Sequence, residues 1–237
     1  MPLSPPVAET ATAEELAIID HAGPQTMSGP ERLLANIDAV DYIVSRGIPG
    51  AIVECGVWRG GQMLSMIDRL QQLGVTDREF YLFDTFAGMT APTEEDVSPF
   101  IEPALDTWTA TAAGQVAWSH LLGDPDLYSV DGVRRLLMST GYPADMLHLI
   151  QGPVEQTVPE KAPAAIAVLR LDTDWYESTA HELRHLYPLL SDGGVLIVDD
   201  YGHWQGARKA VDEYFAATAL PILLGRIDYS ARMGVKR

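Results

Sequence analysis

The sequence predicts an α/β fold in which a mostly parallel sheet carries helices on both faces. The first observation behind this prediction is that short apolar segments alternate with longer segments whose apolar residues have helical spacing. Such alternation places consecutive strands in parallel, with helices packed on the two faces of the sheet. The second observation is that 47% of the 237 residues are apolar, which is enough to bury a stable core.

Local signals define each element in order. Thr12 and Glu15 have the spacing of a capping box and predict a first helix. A second helix begins near Pro30, behind Ser28 as its N-cap, and ends at Gly47. Strands are predicted at 51–54, 79–83, 147–150, 165–171 and 194–198, with two last strands at 222–225 and after 228. Helices are predicted at 62–73, 133–139, 178–190 and 207–217. The sheet therefore has seven strands.

We divide the chain into a helical N-terminal extension, 1–48, that acts as a lid, and an α/β domain, 49–237. Between about 89 and 132 the alternation stops, and no Lys or Arg occurs between Arg78 and Arg134. So long a connection is typical of a lid, a binding loop or an insertion. Its aromatic residues, among them Trp108 and Trp118, suit either sugar stacking or a subunit contact. A solvated acidic loop with a few buried anchors is an equal alternative.

The charge of the chain excludes some partners. There are 33 Asp and Glu against 16 Lys and Arg, a net charge of -17, so we expect neither nucleic acid nor an anionic membrane as a partner. Cys55 is the only cysteine, which fits a reducing cytoplasm. Residues 1–9 lack the basic and apolar regions of a signal peptide, and no apolar run approaches the ~18 residues of a membrane span.

Acidic residues follow the predicted strands at the points where they end. Glu54, Asp84, Asp172 and the pair Asp199-Asp200 all occupy such positions. The carboxyl ends of parallel strands meet at one edge of a sheet, where ligands bind. Helix capping by aspartate is the alternative, but four strand ends out of five favour one shared site.

A glycine-rich turn follows the first strand. Gly56, Gly60 and Gly61 let the backbone approach a ligand closely, and Asp84 follows 23 residues after Gly61. An acid at that position binds ribose hydroxyls in nucleotide-binding sheets. The glycine spacing is not the dinucleotide fingerprint, so an adenosine ligand without phosphates, S-adenosylmethionine, fits better. A purely structural turn is the alternative.

A second group of acids predicts a metal site. Asp172, Asp174, Asp199 and Asp200 converge at adjacent strand ends, where unpaired carboxylates would repel one another. A divalent cation resolves the repulsion, and oxygen ligands select Mg²⁺, Ca²⁺ or Mn²⁺ over zinc. Salt bridges from Arg170 or Arg208 are the alternative.

The segment from His181 to His185 matches the zincin motif H-E-x-x-H. We expect it on a crossover helix, remote from the strand-end site and without a third ligand. It leaves a zinc metallopeptidase as one rival interpretation; a nicotinamide dehydrogenase and a non-catalytic Rossmann-like binding protein are the others. Of the remaining histidines, His203 lies three residues after Asp200 and is the candidate for the site.

Taken together, several segments resemble the macrocin/mycinamicin O-methyltransferase family. They are Glu31-Arg32, Val53 to Gly61, Phe83 to Gly88, Val168 to Asp174, Tyr176 to Thr179, Leu186 to Pro188, Gly193-Gly194, Val198 to Gly202 and Ala210 to Asp212. The resemblance covers about residues 27 to 230. It implies a class I methyltransferase catalytic domain, S-adenosylmethionine as methyl donor, Mg²⁺ dependence and a sugar hydroxyl as acceptor.

The resemblance also implies roles for individual residues. Asp172, Asp199 and Asp200 would hold the metal, and Asp172 would be the general base. The cofactor would contact Met27, Ser28, Glu54, Cys55, Gly56, Val57, Trp58, Asp84, Thr85, Phe86, Gly88, Gly152, Val154, Asp172 and Thr173. The acceptor would contact Glu31, Trp175, Tyr176, Tyr201 and His203.

The chain departs from the family pattern on the acceptor side. Thr173 and Trp175 stand where Gly and Leu are usual in the family, and the connection after Gly88 is longer. The macrolide acceptors of the family are therefore not expected to be the acceptors of this protein. A deoxysugar of a natural product, or a mono- or oligosaccharide such as a mannoside or glucoside, is expected instead. We also expect a homo-oligomer, a dimer.

Overall fold

A computed structural model describes residues 5–237, and the first four residues of the predicted N-terminal extension lie outside it. The helices are α1 Pro5–Thr10, α2 Ala13–Ala22, α3 Pro30–Ser45, α4 Gly61–Gln72, α5 Ala104–Ala110, α6 Ser119–Leu122, α7 Pro125–Tyr128, α8 Val130–Met138, α9 Val154–Thr157, α10 Tyr176–Leu186 and α11 Gln205–Thr218. The strands are β1 Ala51–Cys55, β2 Phe80–Asp84, β3 Leu147–Gln151, β4 Ile166–Leu171, β5 Leu190–Val198, β6 Gly225–Arg226 and β7 Arg232–Val235.

The strands form one seven-stranded sheet in the order β3-β2-β1-β4-β5-β7-β6. The first five are parallel, whereas β7 runs antiparallel to β5 and to β6. The predicted fold is confirmed. The chain moves outward from β1 to β2 and β3, then returns to place β4 on the other side of β1. Parallel sheets bind ligands at such a reversal, beyond the carboxyl ends of the strands.

The two faces of the sheet bury separate hydrophobic clusters. Alternate residues of β1 point to opposite faces, so Ile52 joins one cluster and Val53 the other. The first cluster includes Leu33 and Val40 of α3 together with residues of α4 and α8, and the second includes Leu183 of α10. The N-terminal helices α2 and α3 thus share a core with the sheet. The division of the chain at residue 48 stays a prediction.

Local signals set the ends of the helices, with two corrections. The capping box at α2 is confirmed, because Glu15 N–H donates to Thr12 Oγ1 over 3.2 Å and Glu15 Oε2 accepts from Thr12 N–H over 2.6 Å. Ser28 does not cap α3: Gly29 holds that position, without a side-chain hydrogen bond. The helix predicted to reach residue 190 ends at Leu186, because a short 3₁₀ turn containing Pro188 follows and β5 begins directly after it.

The segment at about 89–132 folds into the short helices α5, α6 and α7 and the start of α8. Within the described part of the chain it contributes no strand to the sheet. None of the helices from residue 5 onward is both long and apolar enough to cross a bilayer.

Candidate active site

A cavity of about 940 Å³ lies beyond the carboxyl ends of β1 and β4. Of the predicted site residues, the cavity is lined by Met27, Ser28, Glu31, Gly56, Val57, Trp58, Asp84, Thr85, Gly88, Gly152, Val154, Asp172, Thr173, Trp175, Asp199, Asp200 and His203. Residues that are far apart in sequence therefore line one cavity. Most of them lie at or just after the ends of β1 to β5, whereas Met27, Ser28 and Glu31 come from the segment before α3 and its first turn.

The glycine turn after β1 forms one wall of the cavity. Gly56 has a φ of 83°, and a methyl group there would overlap the carbonyl oxygen of Asp172. A residue with a side chain would therefore be strained in conformation and would also displace the neighbouring loop. The Asp172 N–H donates to the Cys55 carbonyl over 2.8 Å. Glycine at this position brings the two loops into direct contact.

Asp84, the last residue of β2, holds the glycine turn in place. Its carboxylate accepts hydrogen bonds from the N–H groups of Val57 over 2.6 Å, Trp58 over 3.0 Å and Phe86 over 2.7 Å. Burial raises the pKa of Asp84, and these hydrogen bonds oppose the rise. Asp84 thus builds the wall of the cavity as well as lining it.

The segment before α3 closes the cavity over the start of α4. A methyl group at Gly61 would overlap the Gln25 carbonyl, so only glycine permits this approach. Gln62 Nε2 donates to Thr26 Oγ1 over 3.0 Å. The adjacent Met27 lines the cavity with a 65% exposed side chain.

The opposite wall carries the three aspartates predicted as metal ligands. Asp172, Asp199 and Asp200 each offer one carboxylate oxygen, and these oxygens lie within 4.8 Å of one another. The Asp172 side chain is 26% exposed, whereas that of Asp199 is 6% exposed. Asp172 is therefore the more open of these two towards a molecule in the cavity.

Two arginines pair with this cluster: Arg170, which the salt-bridge alternative named, and Arg32, which was not predicted as a site residue. Arg208, the other arginine of that alternative, pairs with Asp212 instead. Arg170 is buried and donates to Glu54 over 3.0 Å, to Asp172 over 2.5 Å and to Asp199. Arg32 of α3 donates to Asp199 and, over 2.7 Å, to Asp228. Although burial opposes the charge, the carboxylates raise the pKa of both arginines.

The carboxylates outnumber these two cations. Six carboxyl groups belong to the cluster: Glu54, Asp172, Asp174, Asp199, Asp200 and Asp228. Burial, followed by the charge of Asp172, raises the pKa of Asp199 to about 7 and that of Asp174 to about 8. The carboxyl groups exceed the arginines in number, and their pKa values are raised because several charges are unfavourable together in a buried site. A divalent cation such as Mg²⁺ would favour the ionised forms, and the converging oxygens are the ligands it prefers.

Comparison with known proteins places the chain in a family. Residues 20–234 match the family model described as macrocin O-methyltransferase. The chain belongs to the macrocin O-methyltransferase family. The demethyldecarbamoylnovobiocin O-methyltransferase of Streptomyces niveus is 33% identical over 195 residues, 82% of this chain and 69% of that protein. The 8-demethyl-8-(2,3-dimethoxy-alpha-L-rhamnosyl)-tetracenomycin-C 4'-O-methyltransferase of Streptomyces olivaceus is 31% identical over 203 residues, 86% and 72% of the two chains.

Solved structures agree with this assignment. The O-methyltransferase NovP is 31% identical, with a TM-score of 0.74 over 90% of this chain and 82% of that one. CalS11, a TDP-rhamnose 3'-O-methyltransferase of calicheamicin biosynthesis, shares the fold at 18% identity. The TM-score is 0.55, and the match covers 98% of this chain and 95% of CalS11. The predicted class of enzyme, an O-methyltransferase, and the predicted class I methyltransferase fold are confirmed.

Five residues predicted for the site of this member of the macrocin O-methyltransferase family do not line the cavity. Glu54 and Cys55 belong to β1 and are fully buried, and the Glu54 carboxylate accepts a hydrogen bond from Arg170. Phe86 packs into the core beneath the loop. Tyr176 donates to Glu213 over 2.8 Å, and Tyr201 donates to Asp212 over 2.6 Å in a separate groove. Glu54 was expected at a strand end, but β1 continues one residue further.

Trp175, one of the departures from the family pattern, is only 2% exposed although it borders the cavity. Its ring lies between those of Trp118 and Trp204, at centroid distances of 5.7 Å and 5.0 Å. Its Nε1–H donates to the Thr90 carbonyl over 3.0 Å. The buried position makes Trp175 an anchor for the 89–132 segment, so a stacking face for the acceptor is not available on it.

The histidines of the H-E-x-x-H segment lie apart from the cavity. The rings of His181 and His185 are 4.4 Å apart on α10, but Glu182 is fully buried and accepts from Thr173 Oγ1 over 2.9 Å. Among residues 5–237, the aspartate trio is the one group of three or more metal-ligating side chains brought close together. The pair therefore lacks the third ligand that a zincin needs.

His203 lies at the mouth of the cavity, where the C-terminal hairpin meets the 89–132 segment. Its Nδ1 lies 3.0 Å from the Tyr229 hydroxyl, and the Phe100 ring stacks on it at 5.5 Å. Burial lowers the pKa of His203, and the nearby Arg32 guanidinium lowers it further.

Proposed function

We propose that this protein methylates a sugar hydroxyl of a glycoside, with S-adenosylmethionine as donor and Mg²⁺ as the assisting cation. The observation that carries the proposal is the convergence of Asp172, Asp199 and Asp200 on the cavity that the glycine turn also lines. The family supports methyl transfer to oxygen, and the relative from S. olivaceus acts on a rhamnosyl compound.

The donor half of the cavity consists of the glycine turn and the loop after β2. The turn residues Gly56 to Trp58, the loop residues Asp84, Thr85 and Gly88, and Gly152 and Val154 would surround the cofactor. When bound, S-adenosylmethionine would supply a methyl group on its sulfonium sulfur. The oxygen of the acceptor would attack the methyl carbon in line with the carbon–sulfur bond, with S-adenosylhomocysteine as the leaving group. Met27, Ser28 and Glu31 would cover donor and acceptor, which gives the N-terminal extension its proposed role as a lid.

The acceptor half contains the base and the carboxylates for the cation. Asp172, Asp199 and Asp200 would hold Mg²⁺, which lowers the pKa of a bound hydroxyl and orients it when present. Asp172 would accept the proton of the hydroxyl because its side chain is open to the cavity. Arg170 holds one oxygen of this carboxylate and so fixes its direction.

The charges of the cavity favour a glycoside over a nucleotide-activated sugar. Arg32 is the one Arg or Lys among the described residues that line it, and that side chain is paired with Asp199 and Asp228. Protein sites bind a diphosphate with free Arg or Lys side chains, and the described lining residues leave none for it once Arg32 is paired. The mouth instead carries the exposed apolar side chains of Met27 and Ile101, which suit an apolar aglycone.

Transfer of labelled methyl from S-adenosylmethionine to a panel of acceptors tests the proposal. The panel contains natural-product glycosides, simple methyl rhamnosides, mannosides and glucosides, and the matching nucleoside-diphosphate sugars, each with Mg²⁺ and with chelator. We expect transfer to glycosides, Mg²⁺ dependence and no transfer to the nucleotide sugars. Full turnover in chelator would refute the role of the metal, and methylation of the nucleotide sugars but of no glycoside would refute the proposed acceptor.

The rival zinc interpretation makes a different prediction. If the histidine pair were functional, His181→Ala and His185→Ala would abolish activity and remove bound metal, whereas we expect both variants to behave as wild type. The homodimer and the cytoplasmic location stay predictions.

A further inference from the structure

A turn in the 89–132 segment, residues 93–97, contacts the first residues of α10 and α11. These two helices follow β4 and β5, and the loops between strand and helix carry the proposed metal ligands. Asp96 is fully buried, and its Oδ1 accepts the N–H of Tyr176, the first residue of α10, over 2.7 Å. The carbonyl of the adjacent Val97 accepts the N–H of Gln205, the first residue of α11, over 2.9 Å. One turn therefore binds two helix N-termini that lie far from it in sequence.

Neither helix has a cap from its own preceding residue. The residues at the N-cap positions of α10 and α11 are Trp175 and Trp204, and neither makes a side-chain capping hydrogen bond. The first N–H groups of a helix need acceptors, and a negative charge is favourable there. The 93–97 turn supplies one acceptor to each of these two helices, at its first N–H group.

The Asp96 carboxylate is rigidly held while it does this. Its Oδ2 accepts the N–H of Thr93 over 2.7 Å and the Thr93 hydroxyl over 2.9 Å. A methyl group at Gly206 would overlap Asp96 Oδ1, so the first turn of α11 also packs directly on this carboxylate. Trp175, Trp204, Ala104 and Ala207 form a small hydrophobic cluster beside it.

These contacts bear on the site because of what precedes each helix. The loop before α10 carries Asp172, and the loop before α11 carries Asp199 and Asp200. Below the loops, β4 and β5 fix the spacing by pairing Leu171 with Val198. Above them, the 93–97 turn joins the two helix starts.

We propose that Asp96 is a positioning residue, which clamps the two loops together and sets the separation of Asp172 from Asp199 and Asp200. Asp96 does not line the cavity, and it acts through Tyr176 N–H, through its packing against Gly206 and through the turn. The expected effect of Asp96 on turnover rests on the proposed function. The clamp between the two loops does not depend on the proposed function.

The chain offers a matched control variant. Asp124 lies in the same segment and also caps a helix, accepting the N–H of Asp126 over 3.0 Å at the start of α7. This cap serves α7 and not α10 or α11. Asp124→Ala therefore makes the same substitution at an exposed helix cap of this segment without touching the clamp. Asp96→Asn keeps one oxygen for Tyr176 N–H and serves as the conservative variant.

Amide hydrogen exchange of the full chain tests the clamp without any assumption about function. In Asp96→Ala we expect faster exchange over 173–179 and over 203–208, an intermediate effect in Asp96→Asn, and wild-type exchange there in Asp124→Ala. Faster exchange confined to the 89–132 segment, or equal effects of the Asp96 and Asp124 variants, would overturn the clamp.

Kinetics and metal binding test the positioning role, at a temperature where all variants are folded. We expect Asp96→Ala to lower kcat and the affinity for Mn²⁺ each by about 10–100-fold, with the affinity for S-adenosylmethionine unchanged. Asp96→Asn should recover part of both losses. Unchanged kcat and Mn²⁺ affinity, or a parallel loss of donor binding, would overturn the positioning role. A wild-type chain without sugar methylation would instead refute the proposed function, and the exchange result would still decide the clamp.

Discussion

The proposed base is an aspartate whose two oxygens have different surroundings. Asp172 Oδ2 accepts from the buried Arg170, while part of the side chain stays open to the cavity. Asp172→Asn removes both the base and one anionic ligand, so we expect kcat to fall by about 10²–10⁴-fold. The donor affinity measured by calorimetry should fall far less than kcat, because the glycine turn stays intact and supplies most of the proposed donor contacts.

The exposed Asp106 of the 89–132 segment provides the control. Asp106→Asn makes the same chemical change at an exposed residue that does not line the cavity, and it should leave kcat near the wild-type value. A near-wild-type kcat in Asp172→Asn would remove this residue from the role of base, and an equal loss of donor binding would point to a disturbed cavity instead.

Arg170 shows how far the cluster depends on a single cation. Its guanidinium is buried against carboxylates of Glu54, Asp172 and Asp199. Arg170→Leu would leave these charges without their partner, so the free energy of unfolding should fall by about 3–5 kcal/mol. The exposed Arg208 pairs with Asp212 over 3.5 Å, and Arg208→Leu should cost no more than about 1 kcal/mol. Urea unfolding measures both, and similar losses would contradict the dominance of the buried cluster.

The aspartates and one of their partners could be predicted from the sequence, because Arg170 was named as a salt-bridge partner, but Arg32 could not. Asp172, Asp199 and Asp200 directly follow strands, so local pattern was enough to bring them together. Arg32 pairs with Asp199 across 167 positions, and no local pattern encodes that contact. Glu54 was expected at a strand end, yet the strand continues through Cys55 and turns Glu54 into the core.

Helix α10 carries a glutamate whose ionisation opposes folding. Burial raises the pKa of Glu182 well above its ordinary 4.5, and the hydrogen bond from Thr173 lowers it only in part. The folded protein therefore holds this proton at pH values where the unfolded chain has released it. Its contribution to stability is present below about pH 4.5 and is lost as the pH rises through the folded-state pKa.

Glu182→Gln isolates this contribution. The amide oxygen can still accept from Thr173, but the buried charge is gone, so the variant should gain stability relative to wild type as the pH rises from 5 to 8. Urea unfolding at several pH values measures the difference. Glu177→Gln, an exposed change on the same helix, should show no such trend, and a pH-independent difference for Glu182→Gln would contradict the assignment.

The element that resisted prediction most is the 89–132 segment. Its composition left sugar stacking, a subunit contact and a solvated loop as equal alternatives. Its position depends on contacts such as Asp96 with Tyr176, 80 residues away, and Glu95 with Lys209, 114 residues away. By contrast, periodicity and capping signals are local, which is why α2, α3 and the parallel strands could be predicted.

In the whole molecule, the cavity has two sides, and each side is formed by the loops that follow a different pair of strands. The donor side follows β1 and β2, and the carboxylate side follows β4 and β5. The two parts meet where Gly56 packs on the backbone of Asp172. Backbone contacts join them, whereas the hydrogen bonds that hold Asp84 involve only the donor side.

This division predicts that S-adenosylmethionine binds without metal. Calorimetry in chelator should give an affinity close to that in Mg²⁺, and Asp199→Asn should not change it, because Asp199 contacts Arg32 and Arg170 rather than the glycine turn. Asp84→Ala should weaken binding by about tenfold or more, since hydrogen bonds to a charged group contribute ~1.5–3 kcal/mol each and the turn loses two of them. The exposed Asp77 precedes the same strand, and Asp77→Ala should bind as wild type does. Binding that appears only after Mg²⁺ is added would show instead that the carboxylate side must be neutralised before the donor can enter.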